Sequence, residues 1–410
     1  MKISVIGLGF VGLTTALGFA SKGLVVYGYE NIPAKREKIE NGMVPFFEPG
    51  LQDVLRSVIG KSFFVKESMA ECVSDADVVM FCVGTPCNEE GAANLTYLTA
   101  AVAEASQYAP DDCFFVVKST VPPGTVDNRI APLVGKRPVA MNPEFLREGH
   151  AWDDFIDPDR IVIGTNSEAA GRILTICYES FGVPVHLTSP ATAEFIKYLS
   201  NSLLATLISF SNEMADLADR IGKINISDAF HILCEDKRLK GAGIGHYIYP
   251  GCGYGGSCLP KDTKALKNAA HSFGKELEIL GAVIATNEAM PTVTAEKIIA
   301  KTKTKEDSIG ILGLSFKPGS DDVRDTPAAR IIGELVARGY RNIYAYDPIA
   351  NENFARAFDF PSIVYCDCVD AVCKHCAVVA VVTSWEEFLT LKEEYPKTAF
   401  VDCRYCLEER

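Results

Sequence analysis

The feature that most constrains this chain is an alternation of short apolar runs with helical stretches that occurs twice and is interrupted once. Residues 3–6, 25–29, 78–83, 114–118, 139–142 and 161–164 read as strands, with helical patterns such as 13–21 and 96–108 between them. That pattern predicts a parallel, doubly wound sheet, because a parallel crossover is made through a helix packed on the sheet face. From Ser189 to about Ala300 the strands vanish. Ser189-Pro190 offers a capping hydroxyl followed by proline at the first helical position, and the next stop is Gly222. The ~30 residues between them predict a helix of ~45 Å. Phe195, Leu199, Leu203, Ile208, Phe210, Met214 and Leu217 are among its apolar positions. A helix so long and so apolar is expected to bury more than one face, as an interdomain spine or a subunit interface. From about Ser308 the alternation returns, with strands at 309–313 and 343–346 around a helix at 327–338. Asp75-Ala76-Asp77-Val78-Val79 leading to Thr85-Pro86 also resembles Lys374-His375-Cys376-Ala377-Val378-Val379 leading to Thr383-Ser384. The expected domains are 1–188, 189–300 and 301–410, two α/β domains flanking a helical middle.

Composition narrows the function. At ~150 residues per domain, 410 residues make two to three domains, and 48% hydrophobic with 23% charged residues argues against wholesale disorder. Forty Lys and Arg against 53 Asp and Glu give a net charge of −13, which offers no global attraction for nucleic acid or an anionic membrane. An anionic ligand must therefore be held by local groups. No apolar run reaches the ~18 residues of a membrane span, and Met1-Lys2-Ile3-Ser4-Val5-Ile6-Gly7 enters a strand directly, without the regions of a secretory signal. The expected compartment is the cytosol, with the 14 cysteines reduced and most of them small core residues. Cys366, Cys368, Cys373, Cys376, Cys403 and Cys406 do not repeat a paired-knuckle spacing, so no metal is expected there.

Gly7-Leu8-Gly9-Phe10-Val11-Gly12 follows the first strand and opens a helix, and Glu30 ends the second strand. The first glycine permits the tight turn, the second lets backbone approach a pyrophosphate, and the third allows close helix–strand packing. An acid at position 30 accepts hydrogen bonds from a ribose 2′-hydroxyl and repels a 2′-phosphate, so the cofactor is expected to be NAD rather than NADP. The predicted fold class is α/β, with two Rossmann-like doubly wound parallel-sheet domains joined by a central helical domain with one long helix.

Gly251-Cys252-Gly253-Tyr254-Gly255-Gly256-Ser257-Cys258-Leu259-Pro260-Lys261-Asp262 carries four glycines and then a Cys-x-Pro helix start. Glycines allow a substrate close to the backbone. A thiol at a helix N-terminus with Lys261 nearby is expected to be acidified, which makes Cys258 a candidate nucleophile; a buried, inert turn cysteine is the alternative.

These segments, with Lys118-Ser119-Thr120-Val121-Pro122-Pro123-Gly124-Thr125, Asn142-Pro143-Glu144-Phe145-Leu146-Arg147-Glu148-Gly149, and Gly313-Leu314-Ser315-Phe316-Lys317 followed by Asp321-Asp322-Val323-Arg324, resemble the UDP-glucose/GDP-mannose 6-dehydrogenase family in order along nearly the whole chain. The resemblance implies oxidation of a nucleotide sugar's C6 alcohol to a carboxylate with two NAD and one water. It assigns Cys258 as nucleophile through a thiohemiacetal and a thioester, Lys197 and Asn201 as oxyanion stabilisers beside C6, Asp262 to proton transfer, and Thr120 with Glu144 to positioning water. For the cofactor it implies Gly7, Gly9, Val11, Gly12, Glu30, Lys35, Thr85, Thr120, Glu148 and Arg324. For the nucleotide sugar it implies Glu144, Phe145, Leu146, Arg147, Glu148, Lys197, Asn201, Tyr247, Gly251, Gly255 and Lys317. Arg238, Lys240 and His246 lie on a loop where such enzymes often use a cation from a neighbouring subunit, and a homodimer or higher homo-oligomer is expected. UDP-glucose is the leading substrate, with GDP-mannose or a UDP-N-acetylhexosamine as alternatives within the same chemistry. A single-hydride β-hydroxyacid dehydrogenase and a non-catalytic NAD-binding protein are the alternatives of other classes.

Overall fold

The computed structural model describes residues 1–88, 90–240, 245 and 247–407, and divides into two compact units, 1–200 and 201–410. In the first unit β1 (Lys2–Ile6), β2 (Val25–Tyr29), β3 (Phe63–Val65), β4 (Val78–Phe81), β5 (Phe114–Val117), β6 (Val139–Met141), β7 (Ile161–Thr165) and β8 (Val185–Thr188) form one sheet. Their order is β3-β2-β1-β4-β5-β6-β7-β8. Side chains alternate faces along each strand, and both faces are apolar. Ile3, Val5, Val78 and Met80 pack with Leu13, Leu17 and Phe19 on one side, while Ile6, Val79 and Phe81 pack with Leu98 and Val102 on the other. One pairing departs from the parallel expectation: β6 and β7 run antiparallel, Met141 opposite Gly164. The sequence reading also missed β3 and β8. The first is only three residues long, and the second exposes its middle two residues, so neither presents a continuous apolar run.

The helix Pro190–Ile221 has 32 residues. The Ser189 hydroxyl accepts the Thr192 N–H at 3.2 Å, and Gly222, at φ +73°, ends it, as cap and stop residues predict. Phe195, Leu199, Leu203, Phe210 and Leu217 on this helix are each about half exposed in the single chain. In the second unit β9 (Ile309–Leu312), β10 (Ile343–Tyr346), β11 (Ile363–Tyr365), β12 (Val378–Val381) and β13 (Ala399–Asp402) form an all-parallel sheet. Its order, β11-β10-β9-β12-β13, reproduces that of the first five strands. The turns match too: Gly7 N–H donates to Tyr29 O at 2.8 Å, and Gly313 N–H to Tyr346 O at 2.8 Å. Asp347, the acid following β10, is buried. Its Oδ2 accepts from Leu314 N–H, Ser315 N–H, Ser315 Oγ and Trp385 Nε1, and its Oδ1 from Ile349 and Ala350 N–H. Among the described residues no helix is long and apolar enough to cross a membrane.

Just past β5, the buried Lys118 donates to Asn142 Oδ1 at 3.0 Å and to Tyr178 OH at 3.3 Å. Burial pulls its ammonium down to about 8, with Cys82 and Glu144 opposing the shift. Between that value and the ordinary lysine range the unfolded chain holds a proton that the folded chain has released, so stability rises with pH across this window. Relative to Lys118→Met, the wild type is expected to gain on the order of 3 kcal/mol between pH 8 and 10.5. Urea unfolding of both proteins across that range checks this, and a pH-independent difference between them refutes it.

Candidate active site

The glycine loop meets the steric demands of a dinucleotide. Gly7 sits at φ +86°, and a Cβ on Gly12 would lie 1.8 Å from Gly7 O. A Cβ on Gly9 would meet nothing within 4 Å, so internal packing does not require that glycine, whereas close approach of a pyrophosphate does. Gly9 caps the helix Phe10–Ser21 without a side-chain hydrogen bond, leaving first-turn N–H groups for an anion. Glu30 is buried, and its two oxygens accept the N–H groups of Leu8 at 3.0 Å and Ile32 at 3.1 Å. Each oxygen retains a lone pair for a ribose hydroxyl. These residues fit NAD. Lys35 is exposed, and the cation tied to this acid is its neighbour Arg36, which donates to Glu30 O at 2.8 Å. The Thr85 hydroxyl donates to Thr120 O at 2.7 Å, so two cofactor candidates are coupled.

In the same unit Lys197 Nζ lies 3.0 Å from Glu144 Oε1, both side chains being under a tenth exposed. Glu144 Oε2 accepts the Leu146 N–H at 2.6 Å. The Phe145 ring lies 5.5 Å from Lys197 Nζ and 4.5 Å from the Arg160 guanidinium. Arg147, which is exposed, pairs with Asp154 at 2.6 Å. Glu48 holds the far end of this segment through the N–H groups of Gly149 and Ala151, at 2.8 and 2.7 Å. Glu148 is half-buried.

In the second unit Cys258 is exposed and is the N-cap of the helix Leu259–Ser272, with Pro260 in its first turn. Its carbonyl accepts the Asp262 N–H at 2.8 Å. Buried Asp262 accepts from Asn201 Nδ2 at 2.6 Å and pairs with Lys261. The structure thus brings Asn201 to Asp262 and Lys197 to Glu144. Packing requires three of the glycines before the thiol: a Cβ on Gly253, at φ +99°, would lie 2.8 Å from Asn287 Oδ1, one on Gly255 2.3 Å from Asp325 O, and one on Gly256, at φ +79°, 2.8 Å from the Phe316 ring. Gly256 N–H donates to Arg324 O at 3.0 Å, while the Arg324 side chain pairs with Asp322 at 2.6 Å. Lys317 Nζ lies 5.7 Å from the Phe316 ring. Tyr247 is half-buried. Arg238 pairs with Asp236 at 2.5 Å; His246 and the Lys240 side chain lie outside the described residues.

Sequence reasoning missed the buried amides that set this loop. Asn212 Oδ1 accepts the Gly251 N–H at 2.7 Å, and Asn287 accepts the Tyr254 N–H at 2.7 Å while donating to Tyr254 O at 3.1 Å. Arg404 donates to Val382 O at 2.6 Å and lies where a Gly251 side chain would be. An amide inside an apolar helical pattern was the available signal. None of the fourteen cysteines is in a disulfide. Cys366, Cys373, Cys376 and Cys406 lie in an apolar cluster, where burial pushes the Cys373 and Cys376 thiols up to about 12. Among the described residues no group of three or more His, Cys, Asp or Glu is placed to hold a metal.

Models of the UDP-glucose/GDP-mannose dehydrogenase family match the chain in order: the NAD binding domain over residues 1–182, the central domain over 191–289 and the UDP binding domain over 310–409. A UDP-glucose 6-dehydrogenase of Pseudomonas aeruginosa is 38% identical over 95% of this chain and 88% of that protein. The solved UDP-glucose dehydrogenase of Pyrobaculum islandicum is 38% identical with a TM-score of 0.92, over 99% of this chain and 94% of that one. A UDP-D-ManNAc dehydrogenase of Pyrococcus horikoshii is 27% identical with a TM-score of 0.87, over 100% and 97% of the two chains. The family models and these likenesses define an NAD-dependent nucleotide-sugar dehydrogenase, and the glycine loop with Glu30 fits that cofactor. The chain belongs to the UDP-glucose/GDP-mannose dehydrogenase family, and its cofactor is NAD.

Proposed function

We propose that the chain oxidises UDP-glucose at C6 to UDP-glucuronate in two successive two-electron steps. The observation that carries this reading is an exposed thiol, Cys258, capping a helix whose first turn carries the buried Asp262, which accepts from Asn201 of the Pro190–Ile221 helix. Removing two hydrides from one carbon without losing the intermediate aldehyde requires a covalent hold. The Cys258 thiolate adds to the aldehyde carbon, and loss of hydride from the resulting thiohemiacetal gives a thioester that water hydrolyses to the acid. NAD, bound by Gly7, Gly9, Val11, Gly12, Glu30, Lys35, Thr85, Thr120, Glu148 and Arg324, supplies the hydride acceptor at both steps. Lys197 and Asn201 stabilise oxyanion charge at C6, Asp262 moves the proton, and Glu144 with Thr120 positions the water. Residues 144–148, Tyr247, Gly251, Gly255 and Lys317 bind the nucleotide sugar, with Lys317 countering pyrophosphate charge that an acidic protein must meet locally.

The names of the relatives support UDP-glucose over GDP-mannose or a UDP-N-acetylhexosamine. We assign cofactor binding to 1–188, the central helices and thiol loop to 189–300, and nucleotide binding to 301–410. Fourteen unbridged cysteines support a cytoplasmic setting, and the exposed apolar side chains of the Pro190–Ile221 helix support a homodimer built on that helix. The test is a panel of nucleotide sugars followed at the NADH absorbance band. Two NADH per UDP-glucose, with little turnover of the other sugars, is the expected result. One NADH per sugar identifies a single-hydride dehydrogenase instead.

A further inference from the structure

Glu194 lies on the Pro190–Ile221 helix one turn before Lys197, is fully buried, and has no part in the chemistry described above. Its Oε2 accepts the Gly124 N–H at 2.5 Å and its Oε1 the Val126 N–H at 2.7 Å. Each oxygen therefore serves a separate donor of one turn, reached across about seventy residues of sequence. Burial pushes this carboxyl up to about 7 against the pull of those N–H groups, with Asp127 adding to the push. The fold tolerates a costly group here.

The clamped turn is stiff. Thr125 closes it through both N–H and hydroxyl onto Pro122 O, at 3.1 and 2.6 Å. Pro122 and Pro123 have fixed φ and donate no N–H. Thr120 sits just ahead of them, its carbonyl held by the Thr85 hydroxyl and its neighbour Ser119 bonded to Val83 O at 2.7 Å. A rigid run thus extends from Thr120 to the carboxylate, and the helix carrying the carboxylate carries Lys197 one turn further on.

We propose that Glu194 is a positioning residue that sets Thr120 against Lys197 for hydrolysis of the thioester. The inference rests on the water-positioning role given to Thr120 above. A glutamine cannot replace the acid, because an amide offers one acceptor and turns its NH2 toward the second N–H. The loop is released at one end while the space stays filled. A residue needed only for stability would lower the amount of active enzyme and leave the order of events unchanged, whereas a positioning residue slows one step.

The test compares wild type, Glu194→Gln and Glu194→Asp by rapid mixing of enzyme with NAD and UDP-glucose, each rate expressed per Cys258 thiol titrated in NADH-binding protein. Unfolded molecules then do not enter the count, and the aspartate variant serves if the glutamine variant does not fold. The expected result is a burst of about two NADH per thiol followed by steady turnover slowed at least tenfold, with kcat/KM for NAD and UDP-glucose within twofold of wild type, so that KM falls along with kcat. Unchanged turnover per thiol, or slowing without a burst, overturns the inference. Wild type that fails to give two NADH per sugar overturns the proposed function itself, which keeps the two failures distinct.

Discussion

Cys258→Ala and Cys258→Ser lose steady formation of acid, with kcat falling by about 10⁴-fold or more, as for other nucleophiles whose removal abolishes the covalent route. Neither variant is expected to shift stability by more than about 0.5 kcal/mol, because the side chain is exposed and fills no part of the core. Loss of activity with an unchanged unfolding midpoint therefore reports chemistry rather than folding. Acid release by either variant at the wild-type rate would falsify covalent catalysis by this thiol.

The second large effect is at Lys197, whose replacement has two separable consequences. In the proposed mechanism Lys197→Met removes an oxyanion donor, expected to cost about 10²-fold in kcat. It also leaves Glu144 buried without its cation, which costs about 3–5 kcal/mol of stability if the acid stays charged. Combining Lys197→Met with Glu144→Gln removes both charges, so most of the stability should return while turnover stays low. Urea unfolding and initial rates on the two single variants and the double variant separate these terms. Recovery of both stability and turnover in the double variant would show that Lys197 and Glu144 serve only as each other's counter-ions and that neither takes part in the chemistry.

Much of the fold was legible where local chemistry dictates the outcome. The long helix was readable because Ser189, Pro190 and Gly222 each impose a backbone state at its ends, and the observed bounds, Pro190–Ile221, follow them. The antiparallel β6–β7 pairing was not, since a strand's apolar pattern carries no record of its neighbour's direction. At the candidate site, the tight turn at Gly7, the closing of Glu30 on that loop and the helix start after Cys258 were readable from residue type and spacing. Glu194, Asn212 and Asn287 did not. Each acts on backbone N–H groups dozens of residues away, and a main-chain donor looks the same in every sequence.

The two sheets share a strand order and a turn, yet their acids have met different ends. Glu30 keeps unfilled acceptor capacity facing its glycine loop, whereas every lone pair of Asp347 is engaged by the backbone, serine and indole of its own domain. A sugar diol arriving at the second turn finds the docking point already taken. The shared strand order therefore does not extend to the acid: Glu30 retains acceptor capacity for a hydroxyl beside its loop, and Asp347 spends its own on holding the second turn together.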